Sequence, residues 1–392
     1  MSLNTSAVPC GARFAVAAIF FTNGALLASW VARIPAVQRH VEATEATLGA
    51  ALLAAAVGAL IALPISGGLV ARFGSRQIIV FGATALCLAL PLLALAPSLL
   101  GLAGALLLFG ASNGMLDVAQ NAQAALVESR YQRSIMSSFH GLFSVGGFVG
   151  AGVGGLVAAQ DVSTAMHLGT VALIALLVVI IAVPQLLADP VSDLPAGPAF
   201  AWPARALLGL GVVAFCVLLA EGAAADWSAI YMQKSLGADP GLAAAGYAAF
   251  SLLMAAGRFA GDWLADRFAA ARLIRIGGAI AALGLGTALI ISQPAAALVG
   301  FGCVGAGISF VFPLLLSAAA RTAGTQPSAT IAAVATAGYT GFLVGPPVIG
   351  LAAQMFGLPL ALGFVVLACS MIVVLGGVVQ TGSERQEAQS VA

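Results

Sequence analysis

Asp117 is the only charged residue between Arg76 and Glu128, in a stretch of chain whose other residues are mostly apolar. A carboxylate at bilayer depth costs roughly 2.5 to 3.5 kcal/mol on insertion scales, so it needs a partner or a wet cavity. Helical spacing puts three amides on the face of Asp117, namely Asn113, Gln120 and Asn121. Such a polar stripe is typical of a solute or proton site. The structural alternative is a carboxylate paired with a neighbouring arginine.

The composition indicates an integral membrane protein. The 392-residue chain is 61% hydrophobic and 7% charged, whereas soluble domains are about 25% charged. A span needs ~20 apolar residues, and we predict twelve spans, at 12–32, 47–71, 77–96, 98–125, 137–159, 165–187, 206–227, 242–265, 273–292, 295–319, 329–353 and 359–379. The long Leu, Ala and Val runs exclude a β-barrel, whose strands would alternate. We therefore predict an all-α membrane protein.

The placement of basic residues predicts the orientation. With both termini in the cytoplasm, the segments between spans on that side carry Arg13, Arg72, Arg76, Arg130, Arg133, Arg205, Arg267, Arg272, Arg275, Arg321 and Arg385. The outer segments carry only Arg33, Arg39 and Lys234. This positive-inside bias favours a multi-pass protein of the cytoplasmic (inner) membrane. The net charge of +1 argues against a nucleic-acid partner. The five cysteines show neither metal-ligand spacing nor an evident disulfide pair.

The chain contains an internal repeat. Leu69-Val-Ala-Arg-Phe73, after the second predicted span, returns 195 residues later as Leu264-Ala-Asp-Arg-Phe268, after the eighth. The segment from Asn23 to Trp30 is echoed by Glu221 to Trp227. We therefore predict two six-helix halves, 1–187 and 206–392, joined by a Pro- and Asp-containing cytoplasmic linker at 188–205. Parallel halves around a midplane site are the architecture of alternating-access carriers.

The loop after the second span carries the motif Gly67-Gly-Leu-Val-Ala-Arg72-Phe-Gly74-Ser-Arg76. It resembles the G-x-L-x-D-R-x-G-R-R signature of the major facilitator superfamily, with Ala71 in place of the Asp. The second copy keeps Asp266-Arg267. The resemblance implies the major facilitator fold, twelve transmembrane helices in two pseudo-symmetric six-helix halves. It also implies that these residues, with Arg258 and Asp262, form a cytoplasmic gate.

Four short motifs are similar to the fucose–hexose–proton symporter branch of that family. They are Leu116-Asp117-Val-Ala-Gln-Asn121, Glu221 six residues before Trp227, Phe139-His140, and Ser309-Phe-Val-Phe312-Pro313. The carboxylate that the branch carries near the end of the first helix is missing, because Ile34-Pro35 follows Trp30-Val-Ala-Arg33. The chain therefore resembles a divergent member of this branch.

The residues and the resemblance together give a predicted set of functional side chains. Asp117 is expected to carry a proton, because a carboxylate removed from water takes up a proton more readily. Glu221 is the second candidate, unless it only extends to the membrane interface. The predicted substrate contacts are Asn113, Gln120, Asn121, His140, Asn23, Trp30, Ser309 and Tyr339. Three of these predictions have structural alternatives: packing for His140, an interfacial anchor for Trp30 with Arg33, and an intrahelical ion pair for Arg258 with Asp262.

We predict a secondary transporter that couples inward proton movement to uptake of a small polar solute such as a sugar, as a monomer without a cofactor or metal. An intramembrane enzyme would need a nucleophile–base pair or metal ligands, and the three His lie in no such motif. Gly150-Ala-Gly-Val-Gly-Gly155 is predicted to be a helix-packing stretch with Gly146 and Gly154, because no strand precedes it. Gly345-Pro-Pro347 resembles a motif of drug–proton antiporters, so proton-driven export of drugs or metabolites is the alternative function.

Overall fold

The computed structural model describes residues 10–131, 135–188, 207–322 and 327–379, and these residues contain helices and no strand. The α-helices are α1 (Cys10–Val31), α2 (Ile34–His40), α3 (Glu45–Phe73), α4 (Ser75–Leu95), α5 (Leu99–Tyr131), α6 (Met136–Ala159), α7 (Thr164–Ala182), α8 (Leu208–Ile230), α9 (Pro240–Ala265), α10 (Ala270–Ile291), α11 (Pro294–Ile308), α12 (Val311–Thr322), α13 (Pro327–Phe356) and α14 (Leu358–Leu375). A π-helical turn, Tyr231–Ser235, continues α8, and short 3-10 turns follow α7 and α14.

Within these residues, twelve segments are long and apolar enough to cross a membrane. The helices α11 and α12 form one of them together, Pro294–Arg321, and α2 is a short helix between the first two. Each of the twelve predicted spans matches one segment, so the all-α membrane fold is confirmed. The fourth and seventh segments run beyond the predicted ends, to Tyr131 and Ser235. These last turns include polar residues such as Glu128 and Lys234, which hydropathy alone does not count as part of a span.

Local sequence signals explain where several helices begin and end. The Thr44 hydroxyl accepts a hydrogen bond from the N–H of Thr47 and caps α3, at 3.2 Å. Asp239 caps α9 by accepting from the N–H groups of Gly241 and Leu242, at 2.8 and 3.0 Å. Gly74 has a φ of 83° between α3 and α4, a conformation that a residue without Cβ adopts readily. These caps fix the turns between successive spans.

The spans form two six-helix halves, α1 with α3–α7 and α8–α14, which meet through the pairs α6–α9 and α3–α13. Along α6, Gly146 and Gly150 contact α1, and Gly154 contacts Ala32 directly after α1, as predicted for small-residue packing. The exact limits 1–187 and 206–392 stay predictions, and the predicted linker lies, apart from residue 188, outside the described residues. Large apolar side chains such as Leu100 and Ile290, 83% and 86% exposed, cover the outer surface, as a lipid environment requires.

Several polar contacts join the halves at one face of the membrane. We call the face at which α1 begins (Cys10) and α14 ends (Leu375) the terminal face, and the opposite one the distal face. At the distal face the Lys234 ammonium lies 2.7 Å from the Glu45 carboxylate of the other half. The Thr44 hydroxyl donates to the Gln354 amide oxygen at 3.0 Å, and Arg39 donates to Gln233. The space between the halves is therefore closed at the distal face.

Candidate solute site

A cavity of about 280 Å³ lies between the halves, on the terminal side of the distal contacts. Residues of α1, α3, α5, α6, α8, α9 and α13 line it. Most lining side chains are aliphatic or aromatic, including Phe109, Phe143 and Phe342. The polar and amphipathic ones are Trp30, Asn113, Asp117, Glu221, Asp226, Tyr247 and Tyr339. An apolar cavity with a few convergent polar groups is the usual form of a small-molecule site.

Asp117 faces this cavity from α5 and is held by two amides of its own helix. The Gln120 amide donates to the carboxylate oxygen Oδ1 at 3.2 Å, and the Asn121 amide donates to the same oxygen at 3.1 Å. The Asn121 amide also donates to the Asp117 carbonyl oxygen, at 2.8 Å. Gln120 and Asn121 are absent from the cavity lining, whereas Asn113 is part of it. The three amides predicted on the face of Asp117 therefore divide into one that lines the cavity and two that hold the carboxylate.

Arg258 connects the two halves beside Asp117. From α9, its Nη2 lies 3.4 Å from the Glu221 carboxylate on α8. Its Nη1 donates to the Ser144 hydroxyl at 2.7 Å and to the His140 carbonyl oxygen at 3.4 Å, both on α6. Glu221 therefore does not extend to the membrane interface but lines the cavity in an ion pair.

The intrahelical ion pair expected between Arg258 and Asp262 is absent from the described part of the chain. Asp262 instead accepts a hydrogen bond from the Ser137 hydroxyl at 3.0 Å, across the interface between the halves. Arg258 turns away because Ser144, His140 and Glu221 offer three acceptors in the interior. The expected ion pair was wrong, because spacing along one helix does not show which hydrogen-bond acceptors the neighbouring helices offer.

Three further predicted contacts lie outside the cavity. The His140 ring packs edge-on against Phe20, with ring centroids 5.3 Å apart. Asn23 is 1% exposed on α1, and its Oδ1 has no hydrogen-bond donor within the described residues. The Ser309 hydroxyl donates to the Ala306 carbonyl oxygen at 2.8 Å, where α11 gives way to α12. Trp30 and Tyr339, in contrast, line the cavity.

Comparison with known proteins agrees with this architecture. The family model of the Major Facilitator Superfamily matches residues 12–346. This chain belongs to the Major Facilitator Superfamily. An uncharacterised transporter of the superfamily from Yersinia pestis is 37% identical over 355 residues, which cover 89% of this chain and 90% of the relative. The membrane protein MosC of Rhizobium meliloti is 35% identical over 364 residues, 91% of this chain and 89% of the relative. The protein is accordingly a secondary transporter of this superfamily.

Solved structures of other superfamily members share the fold. A bacterial homologue of the human lysosomal transporter Spinster, in an inward-facing and occupied conformation, has a TM-score of 0.70 and 16% identity, and the match covers 93% of this chain and 95% of that one. The fucose:proton symporter of E. coli has a TM-score of 0.65 and 18% identity, with coverage of 94% and 98%. Identities this low show the fold alone. The resemblance to the fucose branch therefore stays a prediction.

The loop signature of the superfamily lies at the terminal face. Gly74 ends α3, and no heavy atom lies within 4 Å of a Cβ built on Gly67. Arg72 stacks over the ring of Phe73, 5.1 Å from its centroid, and Arg267 over that of Trp263, at 4.2 Å. Arg76 and Asp266 form no ion pair with any described residue. Of the predicted gate residues, Arg258 and Asp262 contact α6 of the other half, through Ser144 and Ser137.

Asp226 and Tyr247 line the cavity but are not among the predicted residues. A signal was present for Asp226, because it is a second carboxylate inside the predicted span 206–227, five residues after Glu221. The cavity wall consequently holds three carboxylates, those of Asp117, Glu221 and Asp226. The guanidinium of Arg258 is paired with one of them, Glu221.

Arg33 has a structural position rather than an interfacial one. It is 5% exposed between α1 and α2, its Nε donates to His167 Nδ1 at 3.0 Å, and its Nη2 donates to the Val162 carbonyl oxygen at 2.9 Å. Burial lowers the pKa of Arg33 from its ordinary value. The two hydrogen bonds offset part of that burial cost and join the end of α1 to α7.

Proposed function

We propose that this transporter is a monomeric proton-coupled symporter, which takes up a small polar solute through the inner membrane by alternating access. The terminal face is cytoplasmic in this proposal. Its support is the positive-inside bias, with arginines such as Arg72, Arg130 and Arg272 in the segments at that face. The described conformation, closed at the distal face, then corresponds to the inward-facing stage of the cycle.

The observation that carries the proposal is the position of Asp117. Its carboxylate lines the cavity and receives hydrogen bonds from two neutral amides, and no ion pair with a described residue holds it. A carboxylate held only by neutral donors can gain and lose a proton without breaking an ion pair. Asp117 is therefore suited to carry the transported proton from one face to the other.

Glu221 is the second candidate for proton coupling in the proposed cycle. Its only charged partner among the described residues is Arg258, whose guanidinium also reaches α6 of the other half. Protonation of Glu221 would remove that ion pair and leave Arg258 with Ser144 and the His140 carbonyl oxygen. Binding of a proton and the contact between the halves are thereby coupled through one guanidinium.

The lining of the cavity suits a hydroxylated ring compound such as a sugar. Asn113 and the carboxylates offer hydrogen-bonding groups for hydroxyls, and Trp30 and Tyr339 offer ring faces. The Oδ1 of Asn113 is buried and accepts no hydrogen bond from any described residue. An unsatisfied acceptor in a cavity is a position at which a solute hydroxyl gains affinity. A member of the same fold is named as a fucose:proton symporter, which agrees with this substrate class.

A second candidate function is proton-coupled export of drugs or metabolites. The observation that favours it is the largely aliphatic and aromatic cavity wall, with Phe109, Phe143 and Phe342. Two of the amides predicted to contact the solute bind Asp117 instead, so the wall is less polar than the sequence predicts. Such walls suit amphipathic compounds.

The direction of proton flux separates the two candidates. A thermal-shift screen of sugars, amino acids, organic acids and amphipathic drugs identifies a bound solute. That solute is then added outside proteoliposomes with no imposed gradient. Symport makes the external medium more alkaline, because protons enter with the solute. Acidification of the medium would instead establish exchange of solute for protons, and an unchanged pH would exclude proton coupling.

A further inference from the structure

Asp226 is the carboxylate of the cavity that the proposed cycle leaves unused. It lies on α8 and lines the cavity, and its side chain is half-buried. No side chain or backbone group of residues 10–131, 135–188, 207–322 or 327–379 forms a hydrogen bond or ion pair with it. The two other carboxylates differ, since amides hold Asp117 and Arg258 holds Glu221. Asp226 is thus the acidic group that is free to meet a solute.

Two cations of the neighbouring helical segments, Arg258 and Lys234, are already engaged. Arg258 has three acceptors, Glu221, Ser144 and the His140 carbonyl oxygen. Lys234, two turns further along the same helical segment, is paired with Glu45 at the distal face. An ionised carboxylate without a partner in an apolar surrounding is costly, and a cation that enters the cavity removes this cost.

The surroundings of Asp226 also suit an organic cation. Tyr247 of α9 lies close enough to interact electrostatically with Asp226 and Glu221, and it lines the same cavity. Trp30, Phe143 and Phe342 add aromatic faces to this cavity. Aromatic faces attract ammonium groups, most strongly when water is excluded. Three carboxylates against one guanidinium leave the cavity with an excess of negative groups.

We propose that Asp226 binds a positively charged amino group of the transported solute. The solute class is then a small primary or secondary amine, whose remaining hydroxyl groups or ring lie against Asn113 and the aromatic wall. This inference rests on the proposed transport function and narrows its substrate. Asp226 acts as a specificity-determining residue that distinguishes an amine from the neutral alcohol of the same shape.

The test uses matched ligand pairs in which an amino group replaces a hydroxyl. Suitable pairs are glucosamine with glucose, tyramine with 4-hydroxyphenethyl alcohol, and cyclohexylamine with cyclohexanol. Thermal shift and equilibrium binding are measured on the purified full-length protein, without a proton gradient. The variants are Asp226→Asn and, as the matched control, Asp161→Asn, which changes an exposed carboxylate in the turn between α6 and α7. Asp161 has a φ of 56°, which Asn tolerates.

We expect the wild-type protein and Asp161→Asn to bind the amine of at least one pair more tightly than its alcohol, and Asp226→Asn to lose roughly tenfold or more of that preference. Asp226→Glu, which retains the charge, should keep part of it. A preference that survives in Asp226→Asn overturns the proposal. A wild-type protein that shows no preference for the amine also overturns the proposal, whether both members of each pair bind or neither does. This measurement does not depend on the folding of any variant. If the wild-type protein prefers the amine but does not accumulate solute when a proton gradient is imposed, the proposed symport is overturned and this inference stands.

Discussion

The guanidinium of Arg258 lies 3.4 Å from the carboxylate of Glu221, and the same side chain crosses to the other half to donate to Ser144 at 2.7 Å. One side chain of α9 therefore joins α8 in its own half to α6 in the other. Such a connection can hold only while the halves keep their present arrangement near the cavity. The two charges have unequal numbers of partners, because Arg258 has three acceptors and Glu221 has one cation.

Arg258→Gln should destabilise the protein more than Glu221→Gln. Loss of the guanidinium leaves the Glu221 carboxylate without its cation, whereas loss of the carboxylate leaves Arg258 with Ser144 and the His140 carbonyl oxygen. We expect a cost of roughly 1 to 3 kcal/mol for Arg258→Gln and less for Glu221→Gln. Thermal denaturation in detergent measures both. The double variant should cost less than the sum of the two. Strict additivity would mean that the charges do not interact.

Asp117→Asn should separate binding from coupling. Asparagine retains the shape and the hydrogen-bonding capacity of Asp117 but does not titrate, so solute binding and exchange at equal concentrations should persist. Accumulation against a gradient should be lost, and solute addition should no longer alkalinise the external medium. Exchange and accumulation are measured side by side in proteoliposomes. If Asp117 instead has a structural role, stability and all transport modes should fall together. Proton-driven accumulation by the variant would contradict the role of Asp117 and make Glu221 the next candidate.

Asn113→Ala should weaken solute binding by about 5- to 150-fold, the equivalent of one hydrogen bond of roughly 1 to 3 kcal/mol left unmade. The reason is that Asn113 is the amide of α5 that lines the cavity, with an acceptor oxygen unused by the described residues. Ser112→Ala is the matched control, because the Ser112 hydroxyl donates to Leu108 of its own helix at 2.8 Å. Equal affinities for the two variants would show that the solute does not touch Asn113.

Lys234→Ala should shift the transporter towards conformations open at the distal face. The pair with Glu45 is partly exposed, so the expected effect is small, about 0.2 to 1 kcal/mol or up to roughly fivefold in population. A cysteine placed at Val31, in the cavity wall, should react with a membrane-impermeant maleimide applied at the distal face faster in Lys234→Ala than in the protein that retains Lys234. Glu45→Ala should have the same effect, and the double variant should add little to either. A slower reaction would mean that this ion pair does not hold the distal face closed.

The proposed topology predicts which loops are reachable from outside the cell. In a Cys10→Ser background, a cysteine at Ser235 should react with an impermeant maleimide in intact cells, since Ser235 is exposed at the distal face. A cysteine at Ala269, exposed between α9 and α10 at the terminal face, should react only after permeabilisation. The reversed pattern would invert the orientation and with it the direction assigned to transport.

The fold and the main carboxylate could be predicted because both depend on local sequence. A lipid environment demands long apolar helices, so spans and the isolated Asp117 stand out in the composition. The direction of an amide is different. Helical spacing places Gln120 and Asn121 on the face of Asp117, and the same spacing lets each of them bond back to the carboxylate three or four residues earlier. The sequence cannot show which of the two partners, carboxylate or solute, each amide meets.

Contacts between helices could not be predicted from spacing within one helix. Arg258 meets Glu221 from 37 positions away and Ser144 from 114 positions away, through helices whose relative rotation is set by packing. For the same reason His140, which aligns with a polar position of a known family, lies against Phe20 rather than in the cavity. Asp226 could have been found by the criterion that identified Asp117, because both are carboxylates within predicted apolar spans.

The contacts that close the distal face are made by side chains in reach of water, with Lys234 40% exposed and Glu45 25% exposed. Mobile ions screen such charges within about 8 Å at physiological ionic strength, whereas contacts between buried glycines are insensitive to salt. The balance between the two open states of the transporter thus depends on the salt content of the medium at that face. A rise in ionic strength at the distal face should then lengthen the time for which the cavity is open there, before any solute arrives.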